Sequence, residues 1–493
     1  MGGGALMQLV ANGSQDVYLT GNPQITYFRA VYKRYTNFAK ETILQNTTGT
    51  LTQGSKFSVI LGRHGDLLSG VTAVIKRKRF KVNKSILQQI DSSWTCDGKF
   101  YYPSAGYNFL EYVEVEIGGQ IIDTQYGDWL NVWTDLTEPL DKKFILNQML
   151  YSKSGFIPRN ADIYNDGDIY LPLKFWFCTN PGLALPLIAL QYHEVKINFS
   201  LTPSSFSSGK TVYVDKENLG SISNSLDMKQ ALAGTDISNN HVHNLENKVV
   251  VTISPEKNII DDLDVYADYI YLDTEERRKF AKVKHEYLFE QIQTQGPKSI
   301  PTTSIREAVT LRFNHPVKEL IWIIDNSSVG ACGVSSTGER RFEIIKSGLL
   351  QLNGKDRFKV RKGTYFTIKQ RYDHHSGSPL KYLFEAIYSG DLRNFKKNWD
   401  QFSAFNIPSE AIHTYSFALN PEKTVPSGTC NFSRLDNVVL ELEFYGTDAS
   451  NSCEGSVLPC THPTPNFRSL WVFAINYNVL RIMSGMAGLV YCN

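Results

Sequence analysis

YSFALNPEKTVPSGTCNFSRLDNVVLELEF, residues Tyr415–Phe444, holds the pattern that the whole chain repeats. It predicts a short strand ending near Phe417, a turn at Asn420-Pro421, a loop, and an alternating strand. In that strand Val438, Leu440 and Leu442 share one face, and Val439, Glu441 and Glu443 share the other. Proline fixes its own φ and keeps the preceding residue out of the helical region, so Asn-Pro punctuates strongly. The same device stands earlier as Phe177-Cys-Thr-Asn180-Pro181, closing with Glu194–Phe199. Both copies read Phe-x-x-Asn-Pro-x-x-x-x-Pro, with Pro186 matching Pro426 at an offset of 240 residues. So long a period points to a duplicated domain, not to a solenoid of small units.

Two further echoes keep the same order. Glu111–Ile117 alternates strictly, with Val113, Val115 and Ile117 toward a core, and ends in Gly118-Gly119. Its counterpart, Leu350-Gln-Leu-Asn353-Gly354, is another two-residue hairpin signal, since φ > 0 costs glycine little. The strand Val265–Ile270 is echoed by Val472–Tyr477. Between the copies, Asp273-Thr-Glu-Glu276 predicts a helix start, with Asp273 as cap and Glu276 reaching back. The charged helix near 274–284 is the expected boundary between halves. The polar stretches 82–105, 202–258 and 446–466 are expected as surface loops.

At 493 residues, two β domains of ~200–250 residues each fit the length. A content of 42% hydrophobic and 12% aromatic residues belongs to a globular chain, and the abundance of Tyr and Phe favours strands. A net charge of +2 gives no general attraction to nucleic acid or anionic membrane. The basic run Lys76–Lys81 is expected to be a solvated strand end rather than a nucleic-acid patch. The seven cysteines are odd in number, scattered and free of Cys-x-x-Cys, which favours reduced thiols made in cytosol. Cys453 and Cys460 share one loop and are the pair to test for a bridge. The N-terminus shows neither a signal peptide nor a myristoylation signal, and no apolar run approaches the ~18 residues of a membrane span. A soluble chain is expected.

The opening residues form an arm. Gly2–Gly4 are expected to be mobile. Val17–Pro23 predicts a turn before Ile25–Phe38, ITYFRAVYKRYTNF. At helical spacing Phe28, Val31, Tyr32 and Tyr35 share a face beside Arg29, Lys33 and Arg34. Two readings stand: a helix packed on its own domain, or an aromatic and basic arm that docks on a neighbouring molecule.

Several longer stretches match something specific. Asn12–Gln24 runs into Phe28–Arg34. Further on stand Gly65–Leu68, Tyr269–Arg278, Phe313–Leu320, Asn431–Asp436 and Tyr477–Ile482. With these the chain resembles, over nearly its whole length, the major capsid protein of the nucleocytoplasmic large double-stranded DNA viruses. The resemblance implies an all-β fold of two tandem eight-stranded antiparallel jelly rolls, a double jelly roll. Residues 1–50 would be the N-terminal arm and first strand, and 51–273 the first jelly roll with its long loop 202–258. Residues 274–300 would be a linker helix and entry strand, and 301–493 the second jelly roll. It also implies homotrimers of nearly hexagonal outline that tile an icosahedral shell over an internal membrane, beside neighbouring capsomers and minor capsid proteins. Localisation in the virion capsid, with synthesis and assembly in the host cytoplasm, is the expectation, with no specific nucleic acid bound and no cofactor. Tyr27, Phe28, Arg29, Tyr32, Arg34 and Tyr35 are the candidate contacts at the capsomer base.

No phosphate loop, metalloprotease motif or nucleophile elbow occurs in the sequence. His374-His375 is expected in a solvated loop, not at a metal. Glu114 and Glu116 are expected on the wet face of a sheet, not in acid–base work. Asn46, Asn198, Asn326 and Asn431 satisfy the glycosylation rule, but Asn198 and Asn431 fall in or beside strands. The competing class is a carbohydrate-binding or carbohydrate-cleaving β sandwich, whose exposed aromatic cleft would draw on the seven tryptophans. Most of these sit within apolar strand patterns, which favours core packing.

Overall fold

The computed structural model describes residues 3–30, 32–52, 54–77, 79–82, 98–101, 106–150, 168–203, 210–215, 242–245, 248–253, 260–301, 303–325, 345–377, 412–445 and 467–491. It divides into two compact units, Met1–Phe38 and Ala39–Asn493.

The first unit carries helices α1 (Gly3–Val10) and α2 (Val17–Thr20), and neither buries a residue. Gly3 and Gly4, expected to be mobile, lie in the first turn of α1. The described residues of 25–37, for which a helix was one expectation, are not helical. Ile25, Thr26 and Thr36 are β-branched and the aromatics lose rotamer freedom in a helix, so the stretch has weak helical propensity. Its aromatic face is exposed to solvent, so no tertiary packing offsets the cost of helix nucleation.

In the larger unit, eight main strands make the first sandwich, with a short edge strand, Thr47–Gly49, paired to Lys56–Ile60. The eight are β1 (Phe38–Gln45), β2 (Lys56–Ile60), β3 (Leu67–Arg77), β4 (Leu110–Ile117), β5 (Gln120–Tyr126), β6, β7 (Val195–Leu201) and β8 (Ile260–Leu272). Strand β6 is in two pieces, Asp168–Pro172 and Leu185–Pro186, both paired with β3. The two sheets have the order β1-β8-β3-β6 and β2-β7-β4-β5. This interleaving is that of a jelly roll.

After helix α6 (Thr274–Lys282) come β9 (His285–Pro301), β10 (Arg306–Thr310), β11 (Pro316–Asp325), β12 (Ile345–Leu352), β13 (Lys355–Asp356), β14, β15 (Val438–Phe444) and β16 (Phe467–Met483). Their main strands run β9-β16-β11-β14 and β10-β15-β12-β13, with Met486–Leu489 added as a hairpin to β16 and Arg361–Lys362 paired to β12. Adding eight to every label of the first sandwich gives the second. Strand β14 is again in two pieces, His413–Ser416 and Cys430–Asn431, both paired with β11. The repeated Asn-Pro element is therefore the loop between the two pieces in each half. One difference separates the copies: Phe177 lies in a short helix, α5 (Trp176–Thr179), where its counterpart Phe417 follows a strand. The cause is packing, because Trp176 is buried against Phe289 of β9, ring centroids 4.6 Å apart.

The hairpins match as closely. Gly118 and Gly119 join β4 to β5 at φ 59° and 85°, and Asn353 and Gly354 join β12 to β13 at 49° and 71°. Positive φ at both central residues is the turn whose twist suits a two-residue hairpin. Asp273 caps α6, its side chain accepting from Glu276 N at 2.9 Å. The basic run begins on β3, where Lys76 bridges Asp262 (3.0 Å) and Asp264 (2.8 Å) of β8.

Two of the expected loops hold structure of their own. Arg79–Val82 pairs with Gly98–Tyr101, and within 202–258 the segments Lys210–Asp215, Val242–Leu245 and Lys248–Ile253 form a sheet. Runs such as Lys248-Val-Val-Val-Thr-Ile253 are rich in β-branched residues, which suit pleated strands. The loop 446–466, with Cys453 and Cys460, lies outside the described residues, as do Trp94, Asn326 and Trp399. Cys178 and Cys430 are free thiols, and burial pushes Cys178 up to about 12.

The core of the second sandwich takes Leu320, Trp322 and Ile324 from β11 and Val472 and Ala474 from β16. The intervening Ile321, Ile323, Phe473 and Ile475 point the other way and join the core of the first sandwich. Side chains alternate along a strand, so one sheet serves two cores and is buried on both faces. The jelly rolls are thus joined through a shared apolar layer.

Candidate functional site

Two features stand out, the arm and the seam between the sandwiches. On the arm, Tyr27, Phe28, Tyr32 and Tyr35 are 88%, 98%, 89% and 84% exposed. Arg29 and Arg34 are exposed as well. All six candidate contacts therefore lie on one solvent-facing segment, and Tyr35 meets Phe38 edge-on at 6.5 Å. Leu6, Met7, Leu9, Val10, Tyr18 and Leu19 add further apolar surface. From Ser14 to Lys40 the only acidic residue is Asp16.

At the seam, helix α3 (Gly127–Thr137) of the first sandwich lays Trp129 against Phe473 of β16, ring centroids 5.3 Å apart. Beside this apolar contact lies a row of buried charges that spacing in the sequence did not reveal. Lys318 on β11 is fully buried, its Nζ 2.5 Å from Glu290 Oε1 of β9. Its ammonium stands 5.9 Å from the Trp133 ring and 5.7 Å from the Tyr477 ring. Aromatic faces supply part of the negative field that water would give. Burial raises the Glu290 carboxyl and Lys318 opposes that rise.

His375 departs from expectation. Its side chain is fully buried, with Nε2 2.7 Å from Glu319 Oε1 and Nδ1 3.2 Å from Glu422 Oε1. A dipeptide flanked by Ser and Gly reads as solvated because both carboxylates are remote in sequence and only folding brings them to the ring. His374 does stay at the surface, its Nδ1 3.2 Å from the carbonyl of Leu419. Among the described residues no group of three or more His, Cys, Asp or Glu side chains is placed to hold a metal ion.

Two of the stretches that carried the resemblance supply residues at the seam, and a third braces one of them. Phe313–Leu320 supplies Lys318 and Glu319, and Tyr477–Ile482 supplies the ring over Lys318. Asn431–Asp436 supplies Ser433, whose Oγ accepts from His315 N at 2.8 Å.

The five described tryptophans form no open platform: Trp129, Trp176 and Trp322 are buried, and Trp133 and Trp471 pack against the core. Asn198 is tied to Ser58 and Glu116 within a sheet. Among the described residues no helix is long and apolar enough to cross a membrane.

Fold and seam together define a double jelly-roll protein of the kind found in viral capsids. The family profile described as "Major capsid protein N-terminus" matches residues 26–273. The profile "Large eukaryotic DNA virus major capsid protein" matches 276–398 and 394–488. The chain is 38% identical to the major capsid protein of Pyramimonas orientalis virus, over 100% of both chains. It is 35% identical to that of Paramecium bursaria Chlorella virus 1, covering 99% of this chain and 100% of the relative. A solved structure, the quasi-atomic model of the PBCV-1 virus capsid, is similar with a TM-score of 0.64 at 30% identity, over 95% of this chain and 100% of that one. The Faustovirus major capsid protein shares the fold, with a TM-score of 0.59 at 11% identity, over 97% of this chain and 96% of that one. The chain belongs to the major capsid protein family of large eukaryotic DNA viruses. It is a structural protein of the virion, and the carbohydrate-binding reading finds no support among these relatives.

Proposed function

We propose that three copies of this chain associate into a capsomer of nearly hexagonal outline that tiles an icosahedral shell. One observation carries this reading: the same strand order occurs twice in the chain, so three chains place six similar sandwiches around one axis. The chain is divided into an arm with its first strand (1–50), a first jelly roll (51–273), a linker helix and entry strand (274–300) and a second jelly roll (301–493). Its role is mechanical and not catalytic, and it needs no cofactor. Subunits associate by burying apolar surface, on the order of 2,000 Å² or more for an obligate interface.

The arm contacts neighbouring capsomers or minor capsid proteins through Tyr27, Phe28, Arg29, Tyr32, Arg34 and Tyr35. The internal membrane is met indirectly, through that layer, and assembly takes place in the host cytoplasm. Exposure of so many aromatic and aliphatic side chains on one short segment supports docking over a free tail.

Light scattering coupled to size exclusion tests the trimer: the expected mass is three times the 55.8 kDa of one chain. A monomer at micromolar concentration overturns it. Removal of residues 1–30 is expected to leave trimers that fail to build shells in negative-stain images, and normal shells from that truncation overturn the arm's role.

A further inference from the structure

The segment Arg371–Gly377 of the second sandwich crosses the C-terminal end of α3 in the first. The last turn of a helix leaves carbonyls without intrahelical partners. Here the segment serves two of them and sets a hydroxyl within reach of a third. Arg371 Nη2 donates to Asp135 O at 2.5 Å, Gly377 N to Leu136 O at 2.7 Å, and Ser376 Oγ lies 3.0 Å from Thr137 O. The approach is so close that a Cβ on Gly377 would lie 2.4 Å from Leu136 O.

What holds the segment from behind is His375. Its two ring nitrogens each face a carboxylate, Glu319 on β11 and Glu422 in the loop between the pieces of β14. Glu422 also accepts from Ser376 N at 2.7 Å, and its Oε2 stands 2.7 Å from Ser376 Oγ. From α3 the Trp133 ring meets the imidazole edge-on at 6.4 Å, and the neighbouring Lys318 ammonium is already matched to Glu290. A neutral imidazole has one N–H and one lone pair, whereas imidazolium donates from both nitrogens. With carboxylate oxygens at both, only imidazolium satisfies the site.

We propose that Glu319, His375 and Glu422 form a proton-operated lock on the seam between the two jelly rolls. With both ring nitrogens protonated, Arg371–Gly377 is held against the end of α3. Loss of one proton sets a lone pair against a buried carboxylate, and the segment lets go. In this device His375 is a positioning residue, acting on α3 through Ser376 and Gly377.

The electrostatics agree in direction. Burial opposes the charged ring, but Glu319 and then Glu422 outweigh it and hold His375 up to about 9. A raised histidine contributes its full stability below its ordinary value of 6.5 and loses it as pH rises through about 9. The lock is therefore closed at neutral pH and opens on the alkaline side.

Hydrogen exchange of the full-length protein, corrected for the intrinsic base-catalysed rate, tests this. Between about pH 7 and pH 10, protection of peptides spanning 371–377 and 127–137 is expected to fall by about tenfold or more, while β4 stays within about twofold. His375→Gln is expected to show the low protection at every pH. Glu422→Gln keeps one carboxylate, and its transition is expected about one pH unit lower, which tests the lock even if His375→Gln does not fold. Flat wild-type protection over this range, or an unshifted transition in Glu422→Gln, overturns the proposal.

Discussion

Asp66 Oδ1 stands 2.9 Å from Arg277 Nε, while Asp66 Oδ2 accepts a hydrogen bond from Leu272 N at 2.9 Å. One buried carboxylate thus ties the start of β3 to the end of β8 and to the helix that leads into the second sandwich. The two contacts differ in strength, because Arg277 is 62% exposed and water screens its charge. Asp66→Ala leaves the half-buried Leu272 N–H without its acceptor and is expected to cost about 1–3 kcal/mol. Arg277→Ala is expected to cost less than about 1 kcal/mol. Denaturant midpoints of the two variants check the order, and equal losses contradict it.

Asp123 on β5 carries a pH dependence of its own. It is buried at the seam, accepting from Ile292 N of β9 at 3.1 Å and from Gln125 Nε2 at 3.0 Å. Burial pushes its carboxyl from 3.8 up to about 7, against the lowering effect of those bonds. The folded chain therefore holds a proton that the unfolded chain releases between these values. Stability falls as pH rises from about 4 to about 7 and then levels. Asp123→Asn keeps an acceptor for Ile292 N without the charge. It is expected to abolish that slope and to gain on the order of 3 kcal/mol above neutral pH, read from unfolding curves across pH.

The β4–β5 turn offers a contrast between adjacent glycines. Both have positive φ, which Asn tolerates better than most residues. A Cβ on Gly119 meets nothing within 4 Å, whereas one on Gly118 would lie 2.3 Å from Nδ1 of His193. That nitrogen accepts from Ala487 N at 3.2 Å, so the ring cannot move aside without loosening the hairpin of β16 with Met486–Leu489. Gly119→Asn is expected to lower stability by less than about 1 kcal/mol, and Gly118→Asn by about 2 kcal/mol or more. Thermal unfolding of the pair decides it.

The arm separates folding from assembly. Replacing Tyr27, Phe28, Tyr32 and Tyr35 together by Ser removes side chains that are almost wholly exposed. Stability is expected to change by less than about 0.5 kcal/mol, because such positions contribute little to the folded state. Shell formation, followed by light scattering, is expected to fail. A loss of stability with assembly intact reverses the assignment.

Local pattern made much of this architecture legible. Alternation in Val438–Phe444, the paired turns at Gly118-Gly119 and Asn353-Gly354, and the Asn-Pro loops each encode geometry within a few residues. Their recurrence in order gave the duplication. The arm's conformation was missed because its helical spacing is real, but spacing supplies no helix without a surface to pack on. His375 was missed for the opposite reason. Its immediate neighbours are small and polar, while Glu319 and Glu422 lie 56 and 47 residues away.

By itself, then, the sequence determined two copies of one antiparallel sandwich, the turns that set strand register, and the aromatic and basic character of the arm, whose exposure only the structure showed. These follow from backbone sterics and from the two-residue period of a strand, both local in the chain. Only the tertiary structure decided that β11 and β16 feed two cores at once, and that Lys318, Glu290, Glu319, His375 and Glu422 meet at the seam. Burying a charge is favourable only when partners from distant segments arrive together, and no short-range pattern records that arrival.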